Sequence, residues 1–270
     1  MAPEGTDDMV LVMDIGNTNT LMGLYRDNQL LDHWRLTTNR NLTADQYAAE
    51  MAGLFALRGR SFNQVKAVAI ASVVPPLFYT LREFAQTYFG ATPLFINPDL
   101  DTGVPLDVDE PQSVGADRIA NVAAAYDRFK DACIVVDFGT ATNFDVVSSE
   151  GAFMGGAIAP GIQIAMDALF KMAAALPRIK LVRPPSAVGR STVTNMQAGI
   201  LFGVAGQVDG IVRRIHEELG RQVPVIATGG LAPLVAGECE TVTAVDPLLT
   251  LTGIYLIYQR YTGTRREQNP

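Results

Sequence analysis

Two stretches of this chain, far apart in the sequence, follow the same pattern. The first reads VLVMDIGNTNTLMG and the second reads CIVVDFGTATNFDVV. Each has an apolar run, an Asp, one apolar residue, a Gly, a cluster of small polar residues and a second apolar run. Asp14 and Gly16 of the first correspond to Asp137 and Gly139 of the second. The repeat predicts a duplicated chain in which each half opens with a strand, a tight turn and another strand.

The small polar cluster in each repeat has two interpretations. A Gly such as Gly16 adopts backbone angles that are closed to other residues, which suits a tight hairpin turn of the Asx type. The hydroxyls and amides beside an acid are also suited to hold a phosphate and its metal. The residues of this stretch alone leave both interpretations open.

Periodicity and turn residues predict alternating strands and helices in both halves. In the first half we expect strands at 10–13, 21–25, 30–36 and 65–74, and a short strand in PLFINP. We expect helices at 43–57 and 77–89, the first of them capped by Thr43. A helix starting near Ala116 links the halves. In the second half we expect strands at 133–136 and 143–147 and in AFMGGAIAPG and VPVIATGG, and helices at 162–175, 192–219 and 247–261. The predicted organisation is a disordered leader at 1–8, half-domains at 9–117 and 118–262, and a disordered tail at 263–270.

Composition excludes several classes of function. The net charge is −7, and Lys and Arg do not cluster beyond short pairs such as the RR in the tail, so a nucleic-acid surface is not expected. The longest apolar stretch, near GILFGVAGQV, is too short to span a bilayer. The acidic start, MAPEGTDD, lacks the basic and apolar regions of a secretory signal. We therefore expect a cytoplasmic protein.

Four glycines form a stripe in the predicted helix at 192–219. Gly199, Gly203, Gly206 and Gly210 are spaced four, three and four residues apart and lie along one face. Each costs about 1 kcal/mol of helix propensity relative to Ala. The stripe predicts that another backbone approaches closely, either within the subunit or across a dimer two-fold axis.

The link between the halves contains VGADRIAN, with Asp117 and Arg118 in the first turn of a predicted helix. An acid at this position is favoured by the helix dipole, which would also lower the pKa of Asp117, and Arg118 can simply pair with it. The same two residues could instead serve as a general base and an anion clamp. Both interpretations remain open on these residues.

Five motifs together resemble those of type III pantothenate kinases: DIGNTNT, VGADRIAN, VVDFGTAT, GGAIAPGI and ATGGLA occur in the order and spacing of that family. The resemblance covers nearly the whole chain. It implies an α/β fold of duplicated actin-like (ribonuclease H-like) half-domains with a cleft between them, as in the acetate and sugar kinase, Hsp70 and actin superfamily. It also implies phosphorylation of pantothenate by ATP, the first step of coenzyme A biosynthesis, by a homodimer.

The resemblance also implies roles for individual residues. The ATP-binding set is Asp14, Ile15, Gly16, Asn17, Thr18, Asn19, Thr20 and Leu21, together with Thr140. The substrate-binding set is Gly115, Ala116, Asp117, Arg118 and Thr192, with Thr192 reaching pantothenate across the dimer. Asp117 is the implied proton acceptor, Asp14 lies near Mg²⁺, and Asp137 binds a monovalent cation, K⁺ or NH₄⁺.

One position departs from the family pattern. Many members have a Tyr seven residues before the Gly of the substrate loop, whereas this chain has Val108, whose side chain cannot form a hydrogen bond. The departure keeps open a kinase of the same superfamily with another small-molecule acceptor. A non-catalytic regulatory relative is the other alternative, although a pure scaffold has no physical need for Asp14, Asp117, Arg118 and Asp137 together.

Overall fold

A computed structural model describes residues 8–268. The expected leader therefore lies outside the described residues, apart from Asp8. The chain forms two compact units. Of the described residues, the first comprises 8–103, 110–123 and 250–268, and the second comprises 104–109 and 124–249. The C-terminal helix thus belongs to the first unit, a division that differs from the boundary expected at 117/118.

The first unit is built on a five-stranded sheet of order β3-β2-β1-β4-β5. Its strands are β1 (Met9–Ile15), β2 (Asn19–Arg26), β3 (Gln29–Thr37), β4 (Val65–Ser72) and β5 (Leu94–Phe95). Strands β1, β2 and β3 form an antiparallel meander, whereas β4 runs parallel to β1 and β5 runs parallel to β4. The carboxyl end of β1 therefore lies beside that of β4.

The helices of the first unit are α1 (Ala44–Leu57), α2 (Phe78–Phe89), the start of α3 (Ala116–Phe129), and α7 (Leu249–Gln268), with short 3₁₀ helices at Phe62–Gln64, Pro75–Leu77 and Pro111–Ser113. Thr43 caps α1 as predicted, in a reciprocal capping box with Gln46. The apolar faces of α1 and α2 cover one face of the sheet, where Met51 and Phe55 are fully buried. Burial of each such side chain stabilises the unit by roughly 1.5–3 kcal/mol.

Helix α7 packs within the first unit through close contacts. The ring of Tyr255 stacks on that of Tyr25 in β2, with centroids 4.2 Å apart. A Cβ at Gly253 would lie only 1.8 Å from the carbonyl oxygen of Ala120, so the backbones of α7 and α3 touch. This contact fixes the first turns of α3, which carry the predicted substrate loop.

The second unit repeats the arrangement of the first. Its strands are β6 (Cys133–Phe138), β7 (Ala141–Val147), β8 (Phe153–Pro160), β9 (Val225–Thr228) and β10 (Ala244–Val245). Their order is β8-β7-β6-β9-β10, with β6, β7 and β8 antiparallel and β9 and β10 parallel to β6. The helices are α4 (Ile162–Met172), α5 (Thr192–Leu219) and α6 (Ala232–Val235), and a 3₁₀ helix spans Ala236–Glu238. The predicted duplication is confirmed, because both sheets have the same strand order and the same pattern of directions.

Two helix ends differ from the expected positions. Helix α4 ends at Met172 rather than at 175, and α7 continues to Gln268 rather than ending at 261. The segment expected to be a disordered tail from residue 263 is therefore helical as far as Gln268. Within residues 8–268, no helix has the length and hydropathy needed to cross a bilayer.

Candidate functional site

The first predicted phosphate turn is the tight connection between β1 and β2. The backbone N–H of Gly16 donates to the carbonyl oxygen of Asn19 at 3.0 Å. Gly16 does not have a positive φ, so the expectation that it needs backbone angles closed to other residues was wrong. Space is the constraint instead, because a Cβ at Gly16 would lie 3.0 Å from that same oxygen.

The residues of this turn divide into exposed and buried sets. Asn17, Thr18 and Asn19 are exposed, and Asp14 and Gly16 are half-buried. Ile15, Thr20 and Leu21 are buried, so the side chains of Ile15 and Leu21 belong to the packing of the unit. Only the main-chain atoms of Ile15 and Leu21 are available to a ligand. The predicted ATP-binding residues 14–21 thus form one continuous turn, but they cannot all contribute side chains.

The segment after β3 holds the turn from outside. The backbone N–H of Thr38 donates to the carbonyl oxygen of Thr18 at 3.0 Å, and the Thr38 hydroxyl donates to that of Gly16 at 2.7 Å. Arg40 Nη2 donates to Asn17 Oδ1 at 2.7 Å. The shape of the turn therefore depends on residues far along the chain.

Asp117 lies in the first turn of α3, as predicted. Its Oδ1 accepts a hydrogen bond from the backbone N–H of Arg118 at 2.8 Å. A Cβ at Gly115 would lie 2.5 Å from that Oδ1, so the carboxylate occupies space that only a glycine leaves free. Ala116 is buried and Arg118 is half-buried. Gly115 and Asp117 therefore act together, the first by making room for the second.

Burial raises the pKa of the Asp117 carboxyl. The hydrogen bond from the backbone of Arg118 and the charge of Arg118 oppose this effect without cancelling it. The expectation that the start of a helix would lower this pKa was wrong, because desolvation outweighs the contacts that favour the charged form. A raised pKa makes the carboxylate a stronger base than an exposed Asp.

Val73 connects the phosphate turn to the position of Asp117. Its backbone N–H donates to the carbonyl oxygen of Ile15 at 3.1 Å, at the end of β1. Its Cγ1 lies 3.5 Å from where a Cβ at Gly115 would be. The first unit thus brings the turn that starts at Asp14 and the loop that contains Asp117 to one neighbourhood.

The corresponding turn of the second unit, between β6 and β7, packs tightly against two glycines. The backbone N–H of Gly139 donates to the carbonyl oxygen of Ala141 at 3.0 Å. A Cβ at Gly161, just before α4, would lie 2.0 Å from the carbonyl oxygen of Thr140. A Cβ at Gly229, after β9, would lie 2.6 Å from that of Phe138. Three of the motifs therefore meet at one turn. The carbonyl oxygens of this turn leave no room for a side chain at Gly161 or Gly229.

Asp137 is half-buried at the end of β6, one residue before this turn. Its Oδ1 lies 2.7 Å from the position that a Cβ at Gly229 would take. The carbonyl oxygen of Phe138 borders the same position. Two oxygen atoms thus border the face of Gly229 that carries no side chain.

Two other predicted positions lie in the second unit. Thr192 is exposed in the first turn of α5, next to Ser191, which caps the helix in a reciprocal capping box with Thr194. Val108 is half-buried, and its Cγ1 lies 3.7 Å from where a Cβ at Gly155 would be. Val108 therefore fills space beside a glycine of β8 that has a φ of +98°.

The glycine stripe of α5 has no close neighbour within the second unit. A Cβ at Gly199, Gly203 or Gly206 would meet no described atom within 4 Å outside the helix's own backbone. Gly199 and Gly203 instead line a cavity of about 510 Å³, beside exposed Leu169. Packing against another backbone of the same subunit, one of the two expected explanations, was wrong for these three glycines.

Comparison with known proteins identifies the family. The family model described as type III pantothenate kinase matches residues 10–214. The type III pantothenate kinase of Myxococcus xanthus is 49% identical over 252 residues, covering 93% of this chain and 98% of the relative. This chain belongs to the type III pantothenate kinase family. The resemblance drawn from the five motifs is confirmed.

Solved structures agree with the actin-like fold of this family member. Component A of the (R)-2-hydroxyglutaryl-CoA dehydratase of Acidaminococcus fermentans aligns with a TM-score of 0.53 at 14% identity, over 94% of this chain and 99% of that one. The activator of the 2-hydroxyisocaproyl-CoA dehydratase of Clostridium difficile, with bound ADPNP, gives 0.51 at 11% identity, over 96% and 97%. At this identity the likeness establishes the fold alone.

Several residues at this kinase-family site were not found by reading the sequence. Thr38 and Arg40 contact the first turn through their side chains, yet they lie in the segment after β3, which has no motif of its own. Gly161 was quoted only as part of a motif. Its close contact with Thr140 becomes visible once the two segments are placed together.

Proposed function

We propose that this protein phosphorylates pantothenate with ATP to give 4′-phosphopantothenate, the first step of coenzyme A biosynthesis, in the cytoplasm. The observation that carries the proposal is the match to the family over residues 10–214, which includes both repeats and the substrate loop. The setting of Asp117 supports it, since a buried carboxyl with a raised pKa is suited to accept a proton.

In the proposed reaction Asp117 accepts the proton of the primary hydroxyl of pantothenate. The hydroxyl oxygen forms a bond to the γ-phosphorus of ATP while the bond to the ADP oxygen breaks. Such transfers depend mainly on alignment and charge neutralisation, so a base that holds the hydroxyl in line contributes through position as much as through basicity. Arg118, beside Asp117, would bind the anionic part of the substrate.

The turn from Asp14 to Leu21 would hold the phosphates of ATP, with its exposed residues Asn17, Thr18 and Asn19 as side-chain donors. Thr140 would contribute a further contact to the nucleotide. Among residues 8–268, no three His, Cys, Asp or Glu side chains cluster as metal ligands. Mg²⁺ in kinases is held by one or two carboxylates together with substrate phosphates, and Asp14 fits that role. The ion would neutralise phosphate charge.

Asp137 would hold a monovalent cation, K⁺ or NH₄⁺. The fit rests on the two oxygens, from Asp137 and Phe138, that border the space beside Gly229. A small cluster of oxygens that includes one carboxylate suits a weakly hydrated cation of low charge. The cation would fix the turn that carries Thr140.

We further propose that the protein is a homodimer and that α5 lies at its interface. The support is the open face of Gly199, Gly203 and Gly206, together with the exposed side chain of Leu169, which lines the same cavity as Gly199 and Gly203. Exposed apolar surface of this kind favours association. Thr192, at the start of the same helix, would then contact pantothenate bound by the partner.

The proposal is tested by following ADP release with Mg²⁺ and K⁺, with and without pantothenate. Asp117→Asn should keep ATP binding and lose most turnover. Asp127→Asn is the matched control, because Asp127 is exposed on the same helix and pairs only with Lys130 at the surface. Near-normal turnover of Asp117→Asn would contradict the assignment. A folded wild type with no pantothenate-dependent turnover would favour another acceptor or a regulatory role.

A further inference from the structure

Three residues of the first unit form a continuous chain of hydrogen bonds that ends on the phosphate turn. The Thr38 hydroxyl donates to the carbonyl oxygen of Gly16 at 2.7 Å. The hydroxyls of Thr20 and Thr38 are 3.0 Å apart. Thr20 itself is buried.

The direction of every bond in this chain is fixed by its last member. A carbonyl oxygen can only accept, so the single proton of Thr38 points at Gly16. The bond between the two threonines must then use the proton of Thr20.

This arrangement changes the role expected of Thr20. Its hydroxyl is 1% exposed and its proton is committed to Thr38, so the side chain cannot donate to a phosphate without breaking the chain. The backbone N–H of Thr38 adds a bond to the carbonyl oxygen of Thr18. The carbonyls on both sides of Asn17 are therefore held by one residue.

We propose that Thr38 is a positioning residue for nucleotide binding, which acts through Gly16 and Thr18 and is oriented by Thr20. The inference rests on the proposed function for the identity of the nucleotide. The chain of hydroxyls preorganises the turn, so its donors need not be ordered when phosphate arrives. Thr38 touches no reacting atom and should set affinity for ATP, not the rate of transfer.

The test compares Thr38→Val, which removes the hydroxyl at constant shape, with Thr38→Ser, which keeps it. Loss of these bonds should raise the Kd and KM for ATP by roughly 5- to 30-fold. The kcat and the KM for pantothenate should stay within about twofold, since ground state and transition state lose the same binding. Thr38→Ser should restore the affinity for ATP.

Two further variants separate this role from general stability. Thr37→Val changes the neighbouring, exposed threonine of β3, which lies outside the hydroxyl chain, and should leave the affinity for ATP unchanged. Tyr47→Phe removes a buried phenol hydroxyl of α1 while leaving the bonds of Thr38 in place. It should weaken ATP binding by less than Thr38→Val does, even if it lowers the melting temperature more.

An unchanged Kd for ATP in Thr38→Val would overturn the proposal, as would a loss of affinity in Thr38→Ser equal to that in Thr38→Val. A fall in kcat with no change in the KM for ATP would also refute it. If the wild type binds ATP but does not phosphorylate pantothenate, only the proposed function fails. The comparison of Kd values still decides the role of Thr38.

Discussion

The contact between Gly115 and Asp117 permits a quantitative test of the active-site geometry. In Gly115→Ala, the new Cβ would lie 2.5 Å from Asp117 Oδ1. A C···O contact needs roughly 3.3 Å, so the carboxylate must move by about 0.8 Å. Misplacement of a reacting group by about 1 Å can cost on the order of 100-fold in rate. We expect kcat to fall roughly 30- to 100-fold, equivalent to about 2–2.7 kcal/mol of transition-state stabilisation.

The variant should fold normally, because Gly115 has no positive φ and the other neighbour of the new methyl, Val73, lies at an ordinary 3.5 Å. The assay is pantothenate-dependent ADP release, with ATP affinity measured separately by titration and expected to be unchanged. Gly53→Ala is the matched control. Gly53 is exposed within α1 with space around it, so this change should stabilise the protein by about 1 kcal/mol and leave kcat unaltered. A Gly115→Ala enzyme with wild-type kcat would refute the reasoning.

Three further results are expected. Burial raises the pKa of Asp117, so the ionised carboxyl destabilises the fold above that pKa. Asp117→Asn should therefore raise the melting temperature near about pH 8. This gain should shrink towards about pH 4, where the wild-type carboxyl becomes protonated. A constant difference across this range would contradict the stated cause. Replacing K⁺ with Na⁺ should depress turnover strongly, and Asp137→Asn should abolish that dependence; equal rates in both salts would reassign Asp137. Gly203→Ala should stabilise the isolated helix by about 1 kcal/mol. The same change should weaken self-association if the backbone of a second subunit packs against Gly203. Light scattering that shows an undiminished dimer would argue against α5 as the interface.

Much of the fold follows from the sequence, because its strong signals are local. The repeated strand, Asp and Gly placed β1 and β6 and predicted the duplication that the two sheets confirm. Thr43 marked the start of α1 because a capping box is complete within four residues. The start and end of α5 matched for the same reason, with Ser191 before the helix and Gly220 in the left-handed region after it.

The predictions that the structure contradicts failed for physical reasons that local sequence patterns do not contain. The polar residues after Tyr261 resemble a tail, but extending an existing helix requires no new nucleus, and α7 continues to Gln268. The pKa of Asp117 depends on burial, which outweighs the dipole of its own helix. The role of Thr20 depends on Thr38, which reaches it only in the folded unit.

The residues that cap α5 are distinct from the exposed Thr192 beside them, and this has a consequence for how such proteins change over evolutionary time. Ser191 and Thr194 complete the cap between them, and Thr192 stands exposed beside them without a part in it. Substitutions at Thr192 are therefore nearly free of a folding penalty, since the helix keeps its cap whatever stands there. Because Thr192 is proposed to contact pantothenate, variation at this position would offer a route to altered substrate preference at little cost in stability.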